Sequence, residues 1–329
     1  MLKRSGLAGA IALTLLTGSA FAAEKVAIGM STGVNQVPTV VGQAKGFFAE
    51  EGIDVELKPV NRGAIAIEAL AGGSLQFAES SHTAFFSAVA KGLPLRGVGV
   101  VSRGFFGRLI ASNANADLKT LEDFKGKRVG TQVGTGMHMV VAMLLEKRGL
   151  TDEDLGITNV RVNDMPAAMA SGDTFDAVIG WDPAMERIVQ SGYGKEVLST
   201  GDFMEMAGIT YPFILSTTAD YLAANPETVQ GVVNAYAKAH KFISANPDEA
   251  LRIYYEYLKG TGTGLDEPTV KQMMFDVDRF GGVAFTDGDW NDLPATADYL
   301  LKQGRVDKAL ELDKIIDKSY GEKAEASVK

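Results

Sequence analysis

Two short polar stretches of this 329-residue chain stand where a strand-forming run gives way to an apolar helix-forming run: Ser81-His82-Thr83 and Thr135-Gly136-Met137-His138. A helix that begins so abruptly leaves its first backbone N–H groups unpaired. With the positive end of the helix dipole they can receive an anion or another acceptor. The hydroxyls of Ser81, Thr83 and Thr135 and the imidazoles of His82 and His138 extend that repertoire. A third stretch, Trp181-Asp182-Pro183, puts an indole wall and a carboxylate at a strand end, where Asp182 could cap a helix or accept from an ammonium group. Arg103, in a segment broken by glycines, offers a bidentate clamp for an oxyanion.

Several chemistries fail on spelling. The glycine loop at 132–136 has no Lys after Gly134 or Gly136, as a phosphate-cradling loop requires, and Met139 stands where a dinucleotide fingerprint needs its third glycine. Gly-x-Ser-x-Gly does not occur, which removes the strained serine of a hydrolase elbow. There is no cysteine and there are three histidines without paired spacing, so thiolate chemistry is excluded and neither a metal centre nor a cofactor is expected.

The elements that must position these residues read as alternating α and β. Residues 25–30, 53–60, 75–78 and 95–102 are expected as strands, with helices at 39–51, 64–71 and 84–91, several of them stopped by glycine. Extended residues 109–112 beyond Arg103 suggest a crossing between lobes, and 214–217 a second crossing back. Between them lie strands at 127–131, 159–162 and 177–180, with helices running to 145 and at 166–171. Ala69-Leu70-Ala71-Gly72-Gly73 and Ala168-Met169-Ala170-Ser171-Gly172 end their helices alike, which implies two similar halves. Helices dominate afterwards, at 226–246, 248–258, 267–275 and 289–314, and the polar stretch from 318 is expected to fray.

Lys3-Arg4, an apolar run over 7–16 and Ala20-Phe21-Ala22 form the pattern of a secretory signal peptide cleaved after Ala22. Nothing later approaches the roughly 20 apolar residues of a membrane span. Removing Lys3 and Arg4 with that leader takes the net charge from −9 to −11. So acidic a chain disfavours nucleic acid and anionic membranes, though not a small anionic ligand met by local donors. The expected organisation is signal peptide 1–22, a first lobe from 23–112 and 213–329, and a second lobe at 113–212.

Gly46-Phe47-Phe48-Ala49-Glu50-Glu51-Gly52-Ile53-Asp54-Val55, Leu121-Glu122-Asp123-Phe124-Lys125-Gly126-Lys127-Arg128-Val129-Gly130 and Trp181-Asp182-Pro183 together resemble the periplasmic substrate-binding proteins of ABC importers for taurine, alkanesulfonates and nitrate. The resemblance implies an α/β, two-lobed type II periplasmic binding protein fold with a helical C-terminal region packed on the first lobe. It also implies a monomer in the periplasm that delivers a small molecule to an inner-membrane ABC permease and is not an enzyme. By position it places the ligand contacts at 31–36 (Thr32, Gln36), at Ser81, His82 and Thr83, at Thr135, Gly136, Met137 and His138, and at Trp181 and Asp182. His82-Thr83, Met137 and Asp182 depart from the taurine-like pattern. A zwitterion such as taurine would satisfy both Asp182 and Arg103. The rings of Phe105, Phe106, Trp181 and Tyr211 would suit a flat ligand, such as an aromatic acid or a pyrimidine precursor of thiamine.

Overall fold

The computed structural model describes residues 23–31, 33–60, 62–104, 107–262 and 264–328. The expected leader at 1–22 and the candidate ligand residues Thr32, Phe105 and Phe106 lie outside the described residues. The chain forms two α/β lobes, each on a five-stranded sheet. The first contains β1 (Glu24–Ser31), β2 (Ile53–Val60), β3 (Phe77–Ser81), β4 (Leu95–Ser102) and β10 (Phe213–Thr218), in the order β2-β1-β3-β10-β4. β1 runs parallel to β2 and β3, whereas β10 returns antiparallel between β3 and β4. The second contains β5 (Gly107–Ser112), β6 (Val129–Thr131), β7 (Thr158–Asn159), β8 (Ala177–Trp181) and β9 (Gly194–Leu198), in the order β7-β6-β8-β5-β9.

β5 corrects the expected lobe boundary. It pairs antiparallel with β8 and β9, so the second lobe starts at Gly107 and not at residue 113. Its residues are buried on both faces between two neighbours, which is why an extended apolar run at a crossing belongs to the sheet it enters. The tail is a second correction. Ser319–Ser327 is a helix whose Gly321 and Ala324 are buried; a Cβ on Gly321 would lie 2.8 Å from Ala284 Cα, so a small residue lets the helix seat against the first lobe. Small residues spaced for close packing read as merely polar in the sequence. The long helix expected at 289–314 is Asp287–Lys302 followed by a short turn at Leu312–Ile315.

Two chain crossings join the lobes, and helix Asp287–Lys302 fastens both. Arg103, at the root of the first crossing, gives Nε and Nη2 to the Asp289 carboxylate (3.0 and 2.6 Å), Nη1 to Gly282 O (2.8 Å) and Nη2 to Ala284 O (2.6 Å). One turn on, Asp292 Oδ2 accepts the backbone N–H of Tyr211 in the second crossing at 2.8 Å. The crossings are also tied directly, Gly104 N donating to Thr210 O at 2.8 Å. Burial works against the charge of Asp289, but Arg103 and the Thr286 N–H outweigh it and hold the carboxyl below its ordinary range. Removing one partner of such a pair strands the other charge in the interior. Asp289→Ala is therefore expected to destabilise the protein by about 3–5 kcal/mol, read as a lower urea midpoint at unchanged slope; an unchanged midpoint would show that the pair does not anchor the crossing.

Candidate functional site

The segment that follows β1 and the end of β8 face each other across a cleft between the lobes. Gly33, Val34 and Asn35 form one wall, Trp181, Asp182 and Thr200 the other, and Met273, Asp276 and Arg279 close the side beside helix Glu267–Phe275. Counting the solvent in its open mouth, the cleft encloses ≈ 340 Å³. It continues past Asp182, Thr200, Met273 and Asp276 into an outer chamber lined by Arg108, Glu186, Glu196 and Gln272.

The walls are acidic despite two arginines. Arg108, on β5, pairs with Asp182 (3.0 Å), Glu186 (2.9 Å) and Glu196. Burial opposes its charge, yet the three carboxylates together raise its pKa. Arg279 is 3% exposed. It gives Nη2 to Asp276 (2.7 Å), Nε to Met273 O (3.1 Å) and Nη1 to Gly104 O (3.2 Å). Burial pushes its pKa down against the pull of Asp276. Four carboxylates thus line the two chambers against two guanidinium groups, both of them engaged by carboxylates. Burial also pushes the Asp182 carboxyl up, Arg108 opposing. Its Oδ1 accepts the Glu186 N–H at 2.9 Å, so Asp182 fastens the start of helix Ala184–Gln190 as well as facing the cleft.

The other sequence-derived candidates fall into three groups. Trp181 and Asp182 line the cleft directly. Ser81, Thr83, Gly136 and Tyr211 meet where the lobes touch. The Ser81 and Thr83 hydroxyls lie 2.8 Å apart, and a Cβ placed on Gly136 would sit 2.0 Å from Tyr211 Oη and 2.7 Å from Thr83 Oγ1. Thr135 caps this helix by accepting the His138 N–H (3.3 Å), and Met137 is buried behind it.

The third group turns inward. Arg103 is corrected from an anion clamp to an anchor, because its donors are committed to Asp289 and two carbonyls within the first lobe. His82 is fully buried, with Nδ1 on Pro212 O (3.1 Å) and Nε2 on Thr296 Oγ1 (3.1 Å), which leaves no ring nitrogen for a ligand. Burial lowers its pKa, against Asp292 and the Pro212 carbonyl. His138 accepts Gly134 N–H at Nδ1 (3.3 Å) and therefore donates from Nε2 to Asp152 (2.8 Å), pinning the glycine loop. Gln36 is 1% exposed, its Nε2 on Tyr254 Oη at 3.2 Å behind the first wall.

The segment 31–36 singled out in the sequence reaches the cleft through Gly33, Val34 and Asn35, whereas sequence reasoning missed Arg108, Thr200, Met273, Asp276 and Arg279. Thr200 carried a readable signal, a hydroxyl at a helix start just after the capping Ser199. Asp276 and Arg279 carried none, since they reach the cleft from a helical region remote in sequence.

The profile of the family described as "NMT1/THI5 like" matches residues 34–250. A protein of Brucella abortus (strain 2308), named as a binding protein, is 29% identical over 266 residues, 79% of this chain and 80% of its own. A Haemophilus influenzae protein named for thiamine biosynthesis is 28% identical over 246 residues, 74% of this chain and 76% of its own. The crystal structure of the periplasmic aliphatic sulphonate binding protein from Escherichia coli aligns with a TM-score of 0.74 at 19% identity, covering 89% of this chain and 92% of that one. That likeness identifies the fold as the type II periplasmic binding protein fold.

The contact at Gly136 leaves no room for a Cβ between the lobes. Gly136→Ala should hold them apart, giving a larger radius of gyration in X-ray scattering, and Tyr211→Phe in the same background, which removes the atom nearest the new methyl group, should restore part of the compaction. A scattering profile identical to wild type in Gly136→Ala would show that the contact does not limit closure.

Proposed function

Because the chain belongs to the NMT1/THI5-like family, we propose that it is the solute-binding component of an ABC importer, holding one small molecule between its lobes and handing it to a membrane permease. The leader pattern read in residues 1–22 supports a role outside the cytoplasm, in the periplasm, and we take the protein to act as a monomer. Among the described residues no helix is long and apolar enough to cross a membrane.

The observation that carries the ligand class is the pairing of the Trp181 indole with the surplus of carboxylates at Asp182 and Asp276. A buried carboxylate surplus favours a ligand that brings donors or positive charge and disfavours a bare oxyanion. An indole at the same point favours a flat ring, by stacking or by a cation–π contact. An aminopyrimidine offers both, because its exocyclic amine and ring nitrogen, when protonated, present two parallel N–H groups to one carboxylate. The thiamine-biosynthesis name of the Haemophilus relative supports this choice. Sulfonates such as taurine, preferred on sequence alone, lose ground with Arg103, whose guanidinium is committed elsewhere.

A secreted enzyme is the competing class. Among the described residues no histidine lines either chamber to activate Ser199 or Thr200, and general-base chemistry at neutral pH commonly rests on such a group.

Calorimetry and thermal melts with 4-amino-5-hydroxymethyl-2-methylpyrimidine, taurine and nitrate, each at equal concentration, test the reading. The pyrimidine is expected to stabilise by about 2.7 kcal/mol at a hundredfold excess over Kd, and Asp182→Asn to weaken it at least ~10-fold, the loss of a charged hydrogen-bond acceptor. Stabilisation by taurine or nitrate alone would overturn the ligand class, and turnover of any of the three would overturn the binding role.

A further inference from the structure

Beneath the wall formed by Gly33, Val34 and Asn35 lies a carboxyl group that none of the cleft chemistry uses. Glu79, on β3 two residues before Ser81, is fully buried. The hydroxyls of Thr39 and Tyr236 converge on its Oε1, Tyr236 at 2.6 Å, while its Oε2 has no hydrogen-bond partner among the described residues. Among the described residues no basic side chain is bonded to it. Thr39 belongs to helix Val37–Ala44, which continues directly from Gln36, and Tyr236 to helix Pro226–Ala245 behind it. From helix Pro247–Thr261, Tyr254 and Tyr257 are near enough for their phenols to feel the Glu79 charge. Tyr254 Oη in turn accepts from Gln36 Nε2 (3.2 Å) and donates to Gly33 O (2.8 Å), closing a chain from the carboxyl's surroundings to the cleft wall. His240, one turn beyond Tyr236, is also buried and is held neutral by that burial.

We propose that Glu79 is a positioning residue that keeps the wall from Gly33 to Gln36 in place while its carboxyl is neutral, and that the wall loosens when the carboxyl ionises. A buried carboxylate with one oxygen unbonded and no cation beside it must draw in water or move its neighbours. The neighbours here are the first turn of helix Val37–Ala44 and the Tyr254 chain. Burial pushes the group up from its ordinary value of 4.5 to about 7, the two hydroxyls opposing, so the transition falls near neutrality. The unfolded chain releases this proton at the lower value. Glu79 therefore withdraws stability as pH rises from about 4.5 to about 7 and withdraws no more above that. The functional side of the inference rests on this wall being part of the ligand cleft. Affinity is expected to fall as the pH rises through neutrality.

The test needs no ligand. Hydrogen exchange followed by NMR between pH 5.5 and 8.5 reports the protection of the Gln36 amide, which donates to Gly33 O at 3.2 Å, and selective carboxyl labelling reports Glu79 itself. In the wild type both should change together near pH 7, protection corrected for intrinsic exchange falling by roughly an order of magnitude. Glu79→Gln should remove the step, and Tyr236→Phe, which takes away a donor that favours the ionised form, should move it to higher pH. A step that persists in Glu79→Gln, a carboxyl ionised throughout, or Gln36 protection that ignores the Glu79 titration would each overturn the proposal. If Glu79→Gln does not fold, the shift in Tyr236→Phe decides alone. Failure here leaves the aminopyrimidine reading untouched, because that reading rests on Trp181, Asp182 and Asp276.

Discussion

Everything that the two lobes do depends on how their crossings are held, and one helix holds both. Asp289 and Asp292, three residues apart on helix Asp287–Lys302, face the same way and take the Arg103 guanidinium and the Tyr211 backbone N–H. A buried carboxylate is tolerated where it is fully bonded, and each of these is: Thr286 donates to Asp289 from its N–H (2.8 Å) and hydroxyl (2.9 Å), and Thr296 donates to Asp292 at 3.2 Å. Since both partners come from the far C-terminal region, the hinge cannot be completed until that region docks. Helix Asp287–Lys302 is thus part of the joint between the lobes and not an appendage to the first lobe.

This arrangement explains why the fold was more legible than the site. Alternation of strand and helix, glycine stops such as Gly52, and the return of residues 214–217 to the first lobe are local signals, and each has a direct counterpart in the sheets. Roles at the hinge are not local. Arg103 and His82 carry the residue types of an anion site, and nothing near them in sequence reveals that Asp289 and Thr296, more than 180 residues away, occupy them. The same distance hid Asp276 and Arg279. Gly136 and Thr83 were legible as partners because each opens a helix at a strand end, where ligand sites of α/β sheets gather.

The electrostatics of the cleft follow from the same accounting. A chain with an acidic balance could still have built a positive pocket, had its buried arginines been left unpaired. Instead every buried guanidinium near the hinge meets carboxylates: Arg103 with Asp289, Arg108 with three, Arg279 with Asp276. These cations lock positions and are not available to a ligand. Beside these pairs the cleft is lined by Trp181, Asn35, Thr200 and more carboxylates than guanidinium groups.

Tyr211 shows how shape and hinge are linked. Its φ of 51° lies in the left-handed region, a strain of about 1–3 kcal/mol for a residue with a side chain. The surroundings over-determine it: Asp292 takes its N–H, and its ring meets His82 edge-on at 4.8 Å and Phe213 at 6.0 Å. Glycine would relieve the strain but remove the ring, and the ring is what arrives at Gly136 when the lobes meet. A residue of the second crossing is therefore also part of the contact between the lobes. With a rigid aromatic ring set against a helix start that lacks a Cβ, the spacing of the lobes at this contact is fixed by the chain itself. The width of the cleft beside Trp181 is then tied to the geometry of the second crossing as much as to the residues that line it.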